Sequence, residues 1–233
     1  MTPRVLITGA SRGLGASLAR AFAERGALVF AGARGVRPAL DAIAERYPGQ
    51  VRAVDLDVTS DASVARAYAA VAAEAPALDV LINNAAIRSP SVSNAIEEVD
   101  FGDMARTFEV NSIGPLRIVQ RFLPMLRAGA SPVLVNVSSE AGSIGQCWRD
   151  REFDYCMSKA AMNMATALLA NYLRGEIRVL SLHPGWLRTD MGGAAAALDP
   201  DTTAGDIVAL ILREAARAEG PLFQTHEGET LPW

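Results

Sequence analysis

Cysteine is scarce in this chain, with two residues among 233, Cys147 and Cys156. They are too few and too unpatterned for a disulfide scaffold, and no second pair of ligands joins them to make a zinc site. Both read as reduced thiols, and no metal is expected. Long apolar runs are also missing: no stretch approaches the ~18 residues that a membrane-spanning helix needs. Positive charge is not in excess either. A net charge of -4 and a pI near 5.3 provide no general attraction to phosphate backbones, so nucleic acid is not an expected partner. The first apolar run begins at about Arg4, which leaves no room for a signal or transit peptide and points to a cytoplasmic protein. Lysine is almost wholly absent: of 22 basic residues, 21 are arginine and one, Lys159, is lysine.

Hydrophobic residues make up 50% of the chain and charged residues only 21%, the balance of a packed globular protein. A chain of 233 residues can form one extended α/β core, so a single domain over 1–233 is expected. Short β-branched or leucine-rich runs recur at Arg4–Thr8, Ala27–Ala31, Val51–Asp55, Val80–Ile82, Val133–Val137 and Ile177–Leu182, with a last short one near Leu222–Gln224. Alanine-rich amphipathic stretches separate them. Strands alternating with helices predict a mostly parallel seven-stranded sheet covered on both faces, a three-layer α/β sandwich. The near-continuous apolar character of the runs suits strands buried on both sides. Ligands of such sheets bind beyond the carboxyl ends of the strands, so the residues after each run are the candidates for function.

Thr8-Gly9-Ala10-Ser11-Arg12-Gly13-Leu14-Gly15 follows the first run and opens a helical stretch through Leu18, Phe22 and Arg25. Glycines there permit a tight turn and close approach of backbone to a pyrophosphate at the helix N-terminus. The spacing, with three residues between the first two glycines, resembles the nucleotide motif of the short-chain dehydrogenase/reductase family. That resemblance implies a single-domain Rossmann-like fold, a nicotinamide cofactor held by Gly9, Ser11, Arg12, Gly13, Leu14 and Gly15, and a small carbonyl or alcohol substrate. Asp57-Val58 resembles the family's adenine-pocket pair. Asn83-Asn84-Ala85-Ala86 resembles its Asn-Asn-Ala-Gly element, with Asn84 and Ala85 on the cofactor; Ala86 replaces the last glycine and would narrow the approach. His183-Pro184-Gly185-Trp186-Leu187-Arg188-Thr189 resembles the nicotinamide segment, which implies contacts from Pro184, Gly185, Trp186, Leu187 and Thr189. His183 itself, before a proline at a strand end, reads as structural.

Tyr155 and Lys159 are four apart in a helical stretch, so both project from one face. A phenol of pKa near ~10 is a poor acid-base catalyst at neutral pH, and a neighbouring ammonium is expected to draw it toward the working range. Composition sharpens the signal: with four tyrosines in 233 residues, chance would put the lone lysine four after one of them about 2% of the time. Arginine would not serve freely, because its planar fork differs in reach and geometry from a compact ammonium. Ser138 and Ser139 end the fifth run, where a hydroxyl would hold a substrate carbonyl near the phenol. Position alone does not separate them; the resemblance assigns Ser139. It also makes Asn111 the fourth catalytic member, supporting a water-linked proton relay through Lys159, with Gly114 and Pro115 disturbing the helix nearby. Tyr155 and Lys159 are implied cofactor contacts too. The loop Glu140–Asp154, longer than the common pattern, carries Trp148 and Phe153 toward the substrate side.

After the second run, Val29-Phe30-Ala31-Gly32-Ala33-Arg34-Gly35 offers no carboxylate to hold a ribose 2′-hydroxyl and supplies Arg34 instead, with Arg12 nearby. A guanidinium there suits a 2′-phosphate, so NADP(H) is the expected cofactor. Glu140-Ala141-Gly142-Ser143-Ile144-Gly145, Trp186 and the ending Leu231-Pro232-Trp233 most resemble the C-factor and sniffer type of carbonyl reductase. The expected activity is hydride transfer to a ketone or aldehyde with tyrosine as general acid. A nucleotide-sensing regulator on the same fold is the alternative, and a dehalogenase-like lyase is disfavoured by Lys159 and the intact turn. Ala160, Ala161, Met162, Met164, Ala165, Ala167, Leu168, Leu169 and Ala170 make one helix apolar beyond a single stripe, which predicts a homodimer or homotetramer.

Overall fold

The computed structural model of the chain describes residues 2–35, 37–217, 219–220 and 222–233. Seven strands, β1 (Arg4–Thr8), β2 (Leu28–Ala33), β3 (Val51–Asp55), β4 (Val80–Asn83), β5 (Val133–Val137), β6 (Arg178–His183) and β7 (Phe223–Thr225), form one sheet in the order β3-β2-β1-β4-β5-β6-β7. All six pairings are parallel. Parallel neighbours need crossover connections, and helices supply them: α1 (Gly13–Ala23), α2 (Pro38–Arg46), α3 (Asp61–Glu74), α4 (Phe101–Phe108), α5 (Gly114–Arg127), α6 (Phe153–Tyr172) and α7 (Pro200–Glu214). The order reverses between β1 and β4, so a crevice opens beyond their carboxyl ends.

Alternating side chains of each central strand feed two cores. Val5 and Ile7 of β1 join Val29, Val80 and Val135 beneath α1, α2 and α7, where Leu18, Phe22, Leu40, Ile207 and Ile211 are buried. Leu6 joins Phe30, Leu81, Leu134 and Val179 on the opposite face, against Val64 and Val71 of α3 and Ile118 and Phe122 of α5. At ~1.5–3 kcal/mol for each large side chain buried, these two layers dominate the favourable side of folding.

The strands depart from their sequence-based bounds where pairing overrides local pattern. β2 runs to Ala33, two residues beyond the apolar run, because Gly32 and Ala33 pair with Val54 and Asp55 of β3. Gly32 has no side chain for a reason of space: a Cβ there would lie 2.6 Å from Leu56 Cδ2. β6 extends to His183 through its pairing with Thr225 of β7. α4 and α5 form one rod joined by a π-helical turn at Glu109–Ile113, the irregularity expected around Gly114 and Pro115. Among the described residues, no helix is long and apolar enough to cross a membrane.

Candidate active site

The carboxyl ends of the strands open into a cleft of about 1710 Å³. Its lining holds Gly9, Ser11, Arg12, Gly13, Leu14 and Gly15 from the first turn, Arg34 after β2, Asp57 and Val58 after β3, and Asn84, Ala85 and Ala86 after β4. Ser138 and Ser139 after β5, Tyr155 and Lys159 of α6, and Pro184, Gly185, Trp186, Leu187 and Thr189 after β6 also line it, as do Arg88, Glu140, Arg149, Glu152 and His183. Asn111 does not reach the cleft. It is fully buried behind the wall, in the π-helical turn.

The first turn is built for close approach. Gly9 adopts φ +68°, and a Cβ there would lie 2.7 Å from Ala85 Cα; one on Gly15 would lie 2.3 Å from the Gly9 carbonyl oxygen. The Thr8 hydroxyl accepts from the N–H groups of Asn84 (3.0 Å) and Ala85 (3.1 Å), while Asn84 Nδ2 donates to the carbonyls of Thr8 (3.0 Å) and Gly9 (3.1 Å). Ala86 keeps a negative φ, so the alanine that replaces the family's glycine brings no backbone strain. The N-terminus of α1 is left bare: no side chain caps it and its first turn has no acid. The N-termini of α3, α4 and α7 are capped by Ser60, Asp100 and Asp199. Uncapped amide N–H groups and the positive end of the helix dipole at a cleft are an anion site. A pyrophosphate fits them.

Beyond β2 and β3, Arg34 lies 3.6 Å from Asp57, and Arg12 pairs with Asp190 across the cleft. Burial alone would raise the Asp57 pKa, but hydrogen bonds from Thr59 and the Arg34 charge hold it below the ordinary carboxylate range. Both arginines are largely exposed, so neither pair is a strong lock.

After β5, Ser139 Oγ accepts from the Ala141 N–H (3.1 Å). Lys159 Nζ donates to the Val137 carbonyl at 2.8 Å and lies 5.7 Å from the Tyr155 ring centroid. Asn111 spends its amide on structure: Oδ1 accepts from the Ile87 N–H (2.8 Å), and Nδ2 donates to the Ile87 carbonyl (2.9 Å) and to Ser158 Oγ (3.1 Å). This joins the β4 loop to α6. Pro115 stands where an α-helix would supply the N–H for the Asn111 carbonyl, and proline has none. His183 Nδ1 accepts from the Glu140 N–H (3.2 Å), which ties β6 to the β5 loop.

Two features escape the sequence reading. The Tyr155 phenol is not drawn down: burial pushes it up to about 12, against the smaller opposing effects of Ser139 and Arg88. Lys159 fails to offset this because burial lowers its own pKa to about 8. The second feature is an ion-pair chain around the phenol. Arg88 pairs with Glu152, Glu152 accepts from Arg149 Nε (3.0 Å), and Arg149 forks onto Glu140 (2.6 and 2.7 Å). The alternating Arg149-Asp150-Arg151-Glu152 run was its visible trace. Among the described residues no cluster of metal-ligating side chains occurs.

The short chain dehydrogenase family pattern matches residues 3–198. The chain belongs to this family. The C-signal protein of Myxococcus xanthus is 41% identical over 171 residues, covering 72% of this chain and 99% of that protein. The NADPH-bound carbonyl reductase from chicken fatty liver superposes with a TM-score of 0.89 at 32% identity, over 100% of this chain and 99% of the other. The carbonyl reductase Sniffer of D. melanogaster gives 0.91 at 30% identity, over 100% of both. The fold is therefore the family's single-domain Rossmann-like sandwich, and the resemblance first seen in the glycine turn extends through the whole chain.

Burial of Lys159 has a measurable cost. Its pKa falls from 10.5 to about 8 on folding, so in that window the unfolded chain binds more protons and stability rises with pH. In Lys159→Met this rise should vanish. Chemical denaturation of the unliganded proteins from pH 7 to 10.5 tests it through the difference between wild type and variant, in which other titrating groups largely cancel. A flat difference would contradict burial of the ammonium.

Proposed function

We propose that residues 1–233 act as one NADPH-dependent carbonyl reductase, able to run in reverse as an alcohol dehydrogenase. The observation that carries this reading is the meeting of Ser139, Tyr155 and Lys159 in the same cleft as the bare N-terminus of α1. The names of the chicken and Drosophila relatives support it. A bound nicotinamide supplies the hydride. Tyr155 protonates the carbonyl oxygen, Ser139 orients that oxygen, and Lys159 holds the cofactor ribose while biasing the phenol. A phenol whose pKa is raised to about 12 remains protonated at neutral pH, the form reduction requires. The Asn111 carbonyl supports a water leading from Lys159 to solvent.

Gly9, Ser11, Arg12, Gly13, Leu14 and Gly15 hold the pyrophosphate in this reading, and Asp57, Val58, Asn84 and Ala85 line the adenosine side. Pro184, Gly185, Trp186, Leu187 and Thr189 hold the nicotinamide. Arg34, with Arg12, receives the 2′-phosphate, which makes the cofactor NADP(H). The partner is a small carbonyl or alcohol compound, with no role for nucleic acid, and the location is the cytoplasm. The second reading is a nucleotide-sensing regulator on the same fold; the Myxococcus relative is named as a signal rather than as an enzyme. Retention of Asn111, Ser139, Tyr155 and Lys159 speaks for catalysis.

The chain also carries an uncovered apolar face. Met157, Met164, Leu168 and Tyr172 of α6 are exposed, as are Ile113 and Leu116 at the start of α5. Another copy of the chain suits this surface, in a homodimer or homotetramer.

A panel of ketones and aldehydes followed by NADPH absorbance should show turnover, and Tyr155→Phe should lower it at least ~100-fold with nucleotide affinity little changed. Nucleotide binding without turnover on any compound would favour the sensor, and an active Phe variant would remove Tyr155 from its role. Light scattering at micromolar concentration should report a mass of two or four chains; a monomer mass contradicts the assembly. For the cofactor, kcat/KM should favour NADPH over NADH by at least ~10-fold, about 1.4 kcal/mol, a preference that one phosphate contact can provide. Arg34→Ala should weaken NADPH far more than NADH. Equal losses would show that the 2′-phosphate is read elsewhere.

A further inference from the structure

Arg88 belongs to none of the motifs that mark the family, yet its guanidinium lies over the Tyr155 ring, with Cζ 5.4 Å from the centroid. Its position is fixed from both ends. Its neighbour Ile87 is clamped at N–H and carbonyl by Asn111, and its head group pairs with Glu152. Glu152 precedes α6 and, among the described residues, is the only non-glycine with a positive φ, +63°. A left-handed glutamate persists only where its surroundings hold it. Here Arg88 and Arg149 grip its carboxylate, and Arg149 is anchored on Glu140 beside Ser139. The strained residue thus carries a carboxylate to the guanidinium that faces the phenol.

We propose that Arg88 is a positioning residue for the acid-base tyrosine: it holds the ring and supplies a fixed positive charge for the phenolate, while Glu152 sets how strongly that charge is felt. This rests on the reading of Tyr155 as the proton donor and acceptor. In alcohol oxidation the Tyr155 phenolate takes the hydroxyl proton, and in reduction the phenol returns it to the carbonyl oxygen. The phenol oxygen therefore carries negative charge before the proton is taken in oxidation and after it is given up in reduction. Lys159 alone is a poor permanent counter-charge, since its ammonium is engaged by the Val137 carbonyl and burial brings its pKa to about 8. A guanidinium stays charged far above that. Among the described residues, Glu140 and Glu152, between β5 and α6, are the other charged groups acting on the phenol, while Arg149 and, at the end of β6, His183 line the same cleft and Cys156 follows Tyr155 on α6. The two carboxylates raise the phenol and Arg88 lowers it. Arg88 and Glu152 therefore act in opposite senses.

That opposition makes the test specific. The pH dependence of kcat/KM for alcohol oxidation with NADP+ would be measured for wild type, Arg88→Met, Arg88→Lys and Glu152→Gln. Tyrosinate absorbance of each NADP+ complex, with Tyr155→Phe as the blank, reads the phenol independently of turnover. The apparent pKa of the phenol should rise by about half a unit or more in Arg88→Met and fall in Glu152→Gln, with Arg88→Lys restoring most of the Met shift. General loosening of the site would move the Met and Gln variants in the same direction and overturn the proposal. So would an unmoved pKa in Arg88→Met, or a Lys variant no closer to wild type than Met. Full activity of Tyr155→Phe would instead overturn the assignment of the tyrosine, so the two failures are distinguishable.

Discussion

Parallel pairing is the constraint from which the remainder follows. When all strands run one way, their carboxyl ends lie along one edge, and every connection leaving that edge must cross a face of the sheet before the next strand begins. Helices cover both faces, so the strands are buried and must be apolar. The polar residues that follow them are gathered on one rim. Gly9, Asn84, Ser139 and His183 come from different parts of the chain, yet the sheet delivers them to one cleft. Hydrogen bonds from Asn84 to Thr8 and Gly9, and from the Glu140 N–H to His183, fasten the rim.

Solvent exclusion governs the electrostatics of that rim. The same burial raises the Tyr155 phenol and lowers the Lys159 ammonium, so each is biased toward its neutral form. The protein answers with arginine, whose charge burial does not readily remove. In a chain with one lysine, the two cation types divide the work: the ammonium is kept where a compact donor must reach a carbonyl oxygen, and guanidinium groups carry the permanent charge around it.

Much of this was legible in the sequence because it follows local rules. Strand β3 and strand β5 match their apolar runs at both ends, and the glycine turn, Tyr155 and Lys159 are identifiable from residue type and spacing, whereas Ser139 is singled out from Ser138 only by the family resemblance. What was not legible depends on distant partners. The end of β2 is set by β3, and the amide of Asn111 is committed to Ile87 and Ser158. The direction in which the Tyr155 phenol shifts was not legible because spacing reveals a neighbouring ammonium but not the burial of the phenol. Arg88, far from Glu152 in sequence, showed no pattern of its own.

The bare first turn of α1 also bears on the life of the protein before any reaction. Three other helices carry their own caps, whereas this one leaves its amide groups for a visitor. A phosphate-bearing ligand bound there would complete the hydrogen bonding of the helix. Folding and ligand occupancy are then linked by mass action, and the gain grows with the logarithm of free ligand over its dissociation constant. The stability of the folded chain would thereby track how much nucleotide surrounds it, independent of whether any substrate is present.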